Sequence, residues 1–555
     1  MSQNADMLKR SREHWTERQI DLLWQLVWLF AALLLLTINL GGVPLKDWDE
    51  GLVAQVAREM HQASFDQYRW LYPTLWGAPY FNKPPLIHGL IALAYRLGGV
   101  TETMARLPSA LLTAVSVPLF YRLAREVFHR RLPAVFAAMV YLTSLPVIRN
   151  GRFAMLDGAI LFWLILMMFC LLRSRRDYRY LLGAGLGFGG LCLTKGVLVG
   201  VLLGGIGLGF LAWDTPRLLK SPFLWLGIGI GSVPVALWYG AQWLHYGSAF
   251  LGNNLVEQSL QRIWTDVEDN GAPPWYYLLE VLKYGAPWLL FLPLGYGEVW
   301  SNRNLSWAKL ALVWSGVYFV AISLMATKLP WYVLPLFPAL ALVSGAQLAE
   351  FWQRGQHNGI RQLPPVPYSR IWVGLFGLLA LVGWAGVLYF SYWSTPPEPS
   401  LVLVFAAVGM TFSLVAVLIA RQNPQFIPLL GWGTFVALLL LMQSPHWAWE
   451  VAEAYPVQPV ASLIQRHVPA GVPIFTSYPY HRPSLNFYSE RRVNPASEQE
   501  LRRAWRRESQ PFLLLDASAL ATLNLKRLQA VGAVEEWTLV TKKSSTAAHL
   551  PDPIP

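Results

Sequence analysis

Cysteine is almost absent: a chain of 555 residues carries two, Cys170 and Cys192, and both stand inside apolar runs. That argues against a disulfide framework or a thiolate metal centre, and the pair reads as small hydrophobes in a core. Charge is scarce as well. Only 14% of residues are Asp, Glu, Lys or Arg against 54% hydrophobic, and mean hydropathy is +0.36. Such a composition argues against a string of soluble domains and places the chain among polytopic α-helical membrane proteins. The net charge is +12, but Lys and Arg fall in small clusters between apolar segments, so no nucleic-acid partner is expected. There is no internal repeat and no long low-complexity linker. No small-residue cleavage site follows the basic tail that ends near Gln19, and the first apolar run is expected to remain as a span.

What is present is a series of apolar runs long enough for the hydrocarbon core of a bilayer. They lie near 21–40, 106–122, 132–148, 157–172, 180–194, 196–212, 222–242, 284–298, 306–324, 331–349, 371–392, 401–420 and 427–443, which makes about 13 transmembrane helices. With residues 1–20 as a cytoplasmic tail, loops such as RLAREVFHRR, RSRRDYR and SNRNLSWAK all fall on the cytoplasmic side, as the positive-inside rule requires. PLIHGLIALAYRLGG, residues 85–99, is apolar but short, and counting it would invert every later loop. It is expected to be an interfacial or re-entrant helix. The predicted domains are then a transmembrane domain over 21–443, with a first external loop at 41–105, and a soluble extracytoplasmic segment over 444–555. Within that segment VPIFTSY and PFLLLDA read as strands and ASLIQRHV and LNLKRLQAVG as helices, giving a small α/β domain. HRPSLNFYSERR reads as an ordinary strand and turn of it, although its tyrosines would also suit a sugar ring.

On this topology the cations of the outer face stand out, because the positive-inside rule disfavours them there. Arg58, Lys83, Arg106, Arg149, Arg152, Lys195, Arg262, Lys283 and Lys328 all fall on it, several beside Gly or Pro at the end of a span. Each alone is explained by snorkelling to the interface. Together they suit a lipid-linked phosphate, which Lys and Arg bind through charge-assisted hydrogen bonds. The carboxylates gather on the same side. In DWDEGLVAQVAREM the residues Leu52, Val53, Val56 and Ala57 recur at helical spacing, as in an amphipathic helix lying along the membrane surface with Asp49 and Glu50 in its first turn. Acidic residues there also complement a helix dipole, and Asp47 reads as such a cap. Asp157 opens a span five residues after Arg152, where a carboxylate is costly and marks function or an ion pair. His61 and His88 lie in the first external loop without the tight spacing of a metal site.

These residues, in this order, resemble the GT-C class of membrane glycosyltransferases, in the bacterial branch of the lipid A aminoarabinose transferases and the relatives of protein O-mannosyltransferases. The marks are Asp49-Glu50 after the first span, a helix ending Arg58-Glu59-Met60, and Tyr80-Phe81-Asn82-Lys83-Pro84-Pro85-Leu86. Arg152 to Asp157, the Lys195-Gly196 turn and Lys328-Leu329-Pro330-Trp331-Tyr332 follow. Two positions depart from the aminoarabinose transferases: Asn82 replaces an acidic residue and Leu52 an arginine. The resemblance implies a sugar donor on polyprenyl phosphate, a lipid, glycan or protein acceptor, and a bacterial inner-membrane location among membrane lipids. It implies Asp49 as the catalytic carboxylate, with Glu50 and Asp157 beside it. Lys83, Arg152, Arg262, Lys328 and Tyr332 are expected around the donor phosphate. No cofactor is certain; a divalent metal is left open, with Asn82, His61 and His88 as its weak candidate ligands.

The chemistry agrees with the residues themselves. A phosphate is already a good leaving group, so fixed cations suffice on that side. A hydroxyl acceptor gains from a carboxylate that takes its proton. The rival is a transporter or flippase of a lipid-linked saccharide, which would use the same cations but more often shows two related halves.

Overall fold

The computed structural model describes residues 16–266, 270–356, 368–449 and 456–543. It divides into two compact units. One comprises Met1–Gly42, Trp70–Tyr72 and Phe81–Ala448, the other Val43–Arg69, Pro73–Tyr80 and Trp449–Pro555.

The first unit is a helical bundle. Among the described residues nine helices are long and apolar enough to cross a bilayer. Two bent pairs, Arg131–Leu142 with Leu145–Arg152 and Tyr276–Tyr284 with Trp288–Ser301, raise the number to eleven if each crosses once. The remaining two of the thirteen expected spans are helices outside these candidates: Asp157–Arg173 has 17 residues and Tyr180–Lys195 has 16. At 1.5 Å per residue they reach only roughly 25 Å, the short end of what a bilayer demands. Leu86–Gly98, with 13 residues, is shorter still, so it is a helix but not one of the candidate spans. The 52° bend between Leu142 and Leu145 has a local cause. Thr143 and Ser144 turn their hydroxyls back onto the carbonyls of Met139 and Val140, and Pro146 stands in the first turn beyond the break.

Apolar side chains have little reason to leave lipid, so tight packing between these helices rests on small residues. The helices Tyr180–Lys195 and Pro222–Tyr246 meet through glycines at four-residue spacing, Gly185 and Gly189 on one and Gly227 and Gly231 on the other. A Cβ at Gly185 would lie 1.8 Å from the Gly227 carbonyl oxygen, and one at Gly231 would lie 1.9 Å from that of Gly185. Any larger residue must push the two backbones apart. The contact sets the line of the helix that ends in Lys195. Cys170 and Cys192 are buried free thiols, used here as small packing groups, in agreement with the sequence reading.

The second unit carries a five-stranded sheet in the order Val493–Pro495, Ile474–Thr476, Phe512–Asp516, Trp537–Lys542, Leu528–Val534. The first three strands are parallel and the last two join antiparallel. Alternation along FLLLD sends Phe512 and Leu514 into a core with Val460, Ile464 and Leu539, and Leu513 and Leu515 into a second core with Leu501, Trp505 and Val540. Helices therefore cover both faces, as the expected α/β class requires. Two expectations are corrected. HRPSLNFYSERR is not a strand and turn: its centre forms the helix Pro483–Ser489, which Pro483 opens in its first turn. LNLKRLQAVG is not a helix: Asn524 and Arg527 take positive φ, and Leu528–Val534 is an edge strand paired with Trp537–Lys542. Pairing with a neighbouring strand has overridden the helical propensity of Leu, Lys and Arg.

Part of the predicted first external loop belongs to this unit. Leu52–Gln62 is the expected helix, but Val53, Val56, Ala57 and Met60 are buried and it packs on the helix Pro483–Ser489. Arg58 donates from Nη1 to the Phe487 carbonyl at 2.8 Å and lies 3.8 Å over the Phe487 ring. An apolar stripe at helical spacing does not distinguish a lipid surface from a protein one.

The glycine contact is testable. Gly185→Val should lower the melting temperature of the purified protein by an amount corresponding to about 1–3 kcal/mol of overpacking. Gly205→Ala, at a position where a Cβ meets nothing within 4 Å, serves as control and should leave melting unchanged.

Candidate active site

In the first unit a cavity of about 70 Å³ opens between helix ends, lined among others by Lys83, Asp157, Lys195, Arg262, Tyr318 and Tyr332. Its lining holds three cationic side chains against one carboxylate.

Each side chain arrives there for a local reason. Asp157 is the first residue of its helix and is 5% exposed. Lys195 is the last residue of Tyr180–Lys195, because Gly196 takes φ +110° and ends the helix. The two side chains form an ion pair, and Lys195 Nζ also stands 4.9 Å from the centre of the Tyr332 ring. Tyr332 is held in its helical turn by Tyr318, whose hydroxyl donates to the Tyr332 carbonyl at 2.8 Å. Arg262 is nearly buried and donates to Gln258 Oε1 at 3.1 Å. Its backbone is fixed by ladder-like bonds in which the amides of Ala326 and Thr327 donate to the carbonyls of Ile263 and Arg262 at 3.0 and 3.1 Å. Lys83 is fixed through its neighbour Phe81, whose carbonyl accepts from Asn254 Nδ2 at 2.6 Å, while Tyr239 holds Asn254 Oδ1 at 3.0 Å.

Two expected phosphate ligands lie elsewhere. Arg152 is fully buried and spent on helix ends: it donates to the carbonyls of Leu35, Ile38, Asn39 and Met442 and lies 4.5 Å over the Trp447 ring. Arg106 does the same for Leu40 at 2.9 Å. Lys328 caps the carbonyls of Ser323 and Met325 at the end of Ser306–Leu324, and burial pushes its ammonium below the ordinary lysine range. Carbonyls in the last turn of a helix have no intrahelical partner, and a cation there also meets the negative end of the dipole. Conversely, Lys195 stands in the sequence as one outer-face cation among nine and as the Lys195-Gly196 turn, with no role at the phosphate expected of it. Its position before a glycine at a helix end was the available signal.

The acidic turn lies in the second unit. Asp47–Gly51 forms one π-helical turn, closed by the Gly51 amide donating to the Lys46 carbonyl at 2.8 Å. Glu50 is fully buried and accepts from the Lys46 amide at 3.0 Å. Asp47 is 4% exposed and accepts from Arg482 Nε and from the amide and hydroxyl of Ser484. Asp49, between them, is partly exposed. Such single π turns recur at functional sites because they turn one side chain out of register with its neighbours.

Among the described residues no group of three or more His, Cys, Asp or Glu side chains could hold a metal ion. His88 is fully buried with Nδ1 on the Pro84 carbonyl at 3.2 Å, and burial pushes its imidazole down to about 4. His61 is partly exposed at the end of Leu52–Gln62, and Asn82 stands beside Lys83.

A family model described as dolichyl-phosphate-mannose-protein mannosyltransferase matches residues 82–239. An undecaprenyl phosphate-α-4-amino-4-deoxy-L-arabinose arabinosyl transferase of Pectobacterium carotovorum is 30% identical over 461 residues, 80% of this chain and 75% of that protein. A second such transferase, from Pseudomonas fluorescens, is 30% identical over 354 residues, and the chain spans 60% of its length. The crystal structure of ArnT from Cupriavidus metallidurans bound to undecaprenyl phosphate has the same fold, with a TM-score of 0.75, 18% identity and coverage of 95% of this chain and 99% of that one. By that identity and extent of match, the chain belongs to the aminoarabinosyl transferase family of polyprenyl phosphate-sugar-dependent glycosyltransferases, in the GT-C class.

Proposed function

We propose that the protein transfers a sugar from a polyprenyl phosphate carrier to an acceptor hydroxyl or phosphate by a single displacement with inversion. The observation that carries this reading is the small cavity with three cations and one carboxylate. The acceptor oxygen attacks the anomeric carbon, the bond from that carbon to the phosphate oxygen breaks, and the phosphate departs with the electron pair. Lys83, Lys195 and Arg262 stabilise the charge that develops on it, at fixed positions that need no reorganisation during the reaction. Tyr332 orders Lys195 from one side and Asp157 from the other. Asp49 takes the proton of a hydroxyl acceptor; with a phosphate acceptor it would orient rather than deprotonate. Glu50, spent on the Lys46 amide, supports the turn.

Thirteen spans fit this function, with the two short helices counted and the N-terminus cytoplasmic. That topology implies an extracytoplasmic first external loop and C-terminal segment at the bacterial inner membrane. The relatives are undecaprenyl phosphate-aminoarabinose transferases, which makes that lipid-linked sugar the first donor to try, and we propose a lipid as the first acceptor.

Purified protein in lipid, given a panel of undecaprenyl phosphate sugars, should release undecaprenyl phosphate detectable by mass spectrometry. Asp49→Asn should slow transfer to a hydroxyl acceptor by roughly 10²–10⁴-fold, the usual worth of a general base. Equal rates for Asp49→Asn and the parent would remove Asp49 from the mechanism. No release from any donor, with lipid-linked sugar crossing the bilayer instead, would favour transport.

In the same assay Lys83→Ala and Lys195→Ala should each cut turnover by about 10–10³-fold, as for the loss of one charge-stabilising donor. Lys195→Ala also leaves Asp157 without its ion-pair partner, so the Lys195→Ala, Asp157→Asn double variant should recover part of the loss. Unchanged turnover in both single variants would mean that the cavity does not hold the leaving group.

A further inference from the structure

The residues that grip the acidic turn come from the other end of the chain, 435 positions away. Asp47 gives one carboxylate oxygen to Arg482 Nε and the other to Ser484, whose amide donates at 3.1 Å and whose hydroxyl donates as well. All three residues are buried, with Asp47 and Arg482 at 4% exposure and Ser484 at 0%. Two more contacts bracket the turn. Before it, the Leu45 amide donates to the Tyr488 hydroxyl at 2.7 Å. Behind it, Gly51 lies so close to the Pro483–Ser484 backbone that a Cβ would fall 2.7 Å from the Ser484 nitrogen. The helix that continues from the turn is tied by Arg58 to Phe487. Every one of these partners lies in or next to one short helix, Pro483–Ser489. The turn it grips carries Asp49, whose neighbours on both sides, Asp47 and Glu50, are committed to holding the backbone.

We infer that Arg482 and Ser484 are positioning residues for Asp49: through Asp47 they fix the direction in which the π-helical turn presents that carboxylate. The inference rests on the role of Asp49 given above. A general base loses its effect when its oxygen moves by about 1 Å from the attacking hydroxyl, so a clamp on the turn acts on turnover more than on donor affinity. Asp47 acts through the backbone of the turn. Its two oxygens face a guanidinium, an amide and a hydroxyl, and it works as a peg.

The test uses the full chain in lipid with Ser484→Ala, Tyr488→Phe and Arg482→Lys, each alone and combined with Asp49→Asn. Ser484→Ala and Arg482→Lys should lower kcat by about tenfold or more, with the KM for donor within about threefold of the parent. In the Asp49→Asn background the same changes should cost nothing further, because the group they position is already gone. Binding of undecaprenyl phosphate to each variant confirms that it is folded, and Tyr488→Phe provides a milder change should Arg482→Lys fail that check. If Asp49→Asn is slow while Ser484→Ala, Arg482→Lys and Tyr488→Phe all turn over like the parent, the clamp is wrong and the base stands. If the clamp variants slow the Asp49→Asn protein as much as they slow the parent, they act on the fold and not through Asp49. If Asp49→Asn is as fast as the parent, the reading of Asp49 fails first, and the clamp with it.

Discussion

Helix ends inside a membrane protein must have their carbonyls satisfied by the protein itself, and in this chain buried cations do that work. Arg106 and Arg152 close the end of Glu17–Thr37 and its continuation, Arg152 also reaches Met442 at the end of Phe426–Gln443, and Lys328 closes Ser306–Leu324. A cation so placed is costly to desolvate and costly to remove, because its loss strands several carbonyls at once. The frame around the cavity depends on these caps. They sort the cations of one sequence class into two populations, those that hold backbone and those, Lys83, Lys195 and Arg262, that line the cavity.

That sorting explains what the sequence could and could not disclose. Charged residues at span ends were legible because apolar runs are long and Lys and Arg rare between them, so nine to eleven candidate spans stand among the described residues, and the α/β character of the C-terminal segment was also readable. The division of labour was not. In RNGRFAMLDG, Arg152 and Asp157 stand five residues apart, yet one faces helix ends and the other the cavity, because the chain breaks between the helices that end at Arg152 and begin at Asp157. Spacing alone cannot show such a break. Asp47 poses a related problem: the sequence reads it as a helix cap, but its partners are Arg482 and Ser484, 435 and 437 positions away, which no local spacing can show. The edge strand Leu528–Val534 escaped for a related reason, since its pairing partner lies in a neighbouring strand and not in its own composition.

Close approach plays the part in the bundle that ion pairs play at its ends. Gly185 and Gly231 bring two helices together over most of their length, and the end of that contact is where Lys195 leaves its helix for Asp157. The short length of both helices then has a use. Their ends stop where the cavity lies, with Asp157 opening one and Lys195 closing the other. Longer helices at these positions would bury the pair among apolar neighbours.

The grip of Pro483–Ser489 on residues 45–58 has a further consequence for how the molecule is made. Closing a loop of more than four hundred residues costs entropy that only the finished contacts repay, and those contacts cannot form until the segment around Arg482 to Tyr488 has been synthesised. A nascent chain emerging from the ribosome can therefore complete its helical bundle, glycine seam and cation caps while the acidic turn is still unheld. A later-translated stretch then supplies the partner of a much earlier one. The order of biosynthesis thus makes the acidic turn one of the later features to be fixed, although its own residues are among the earlier ones made.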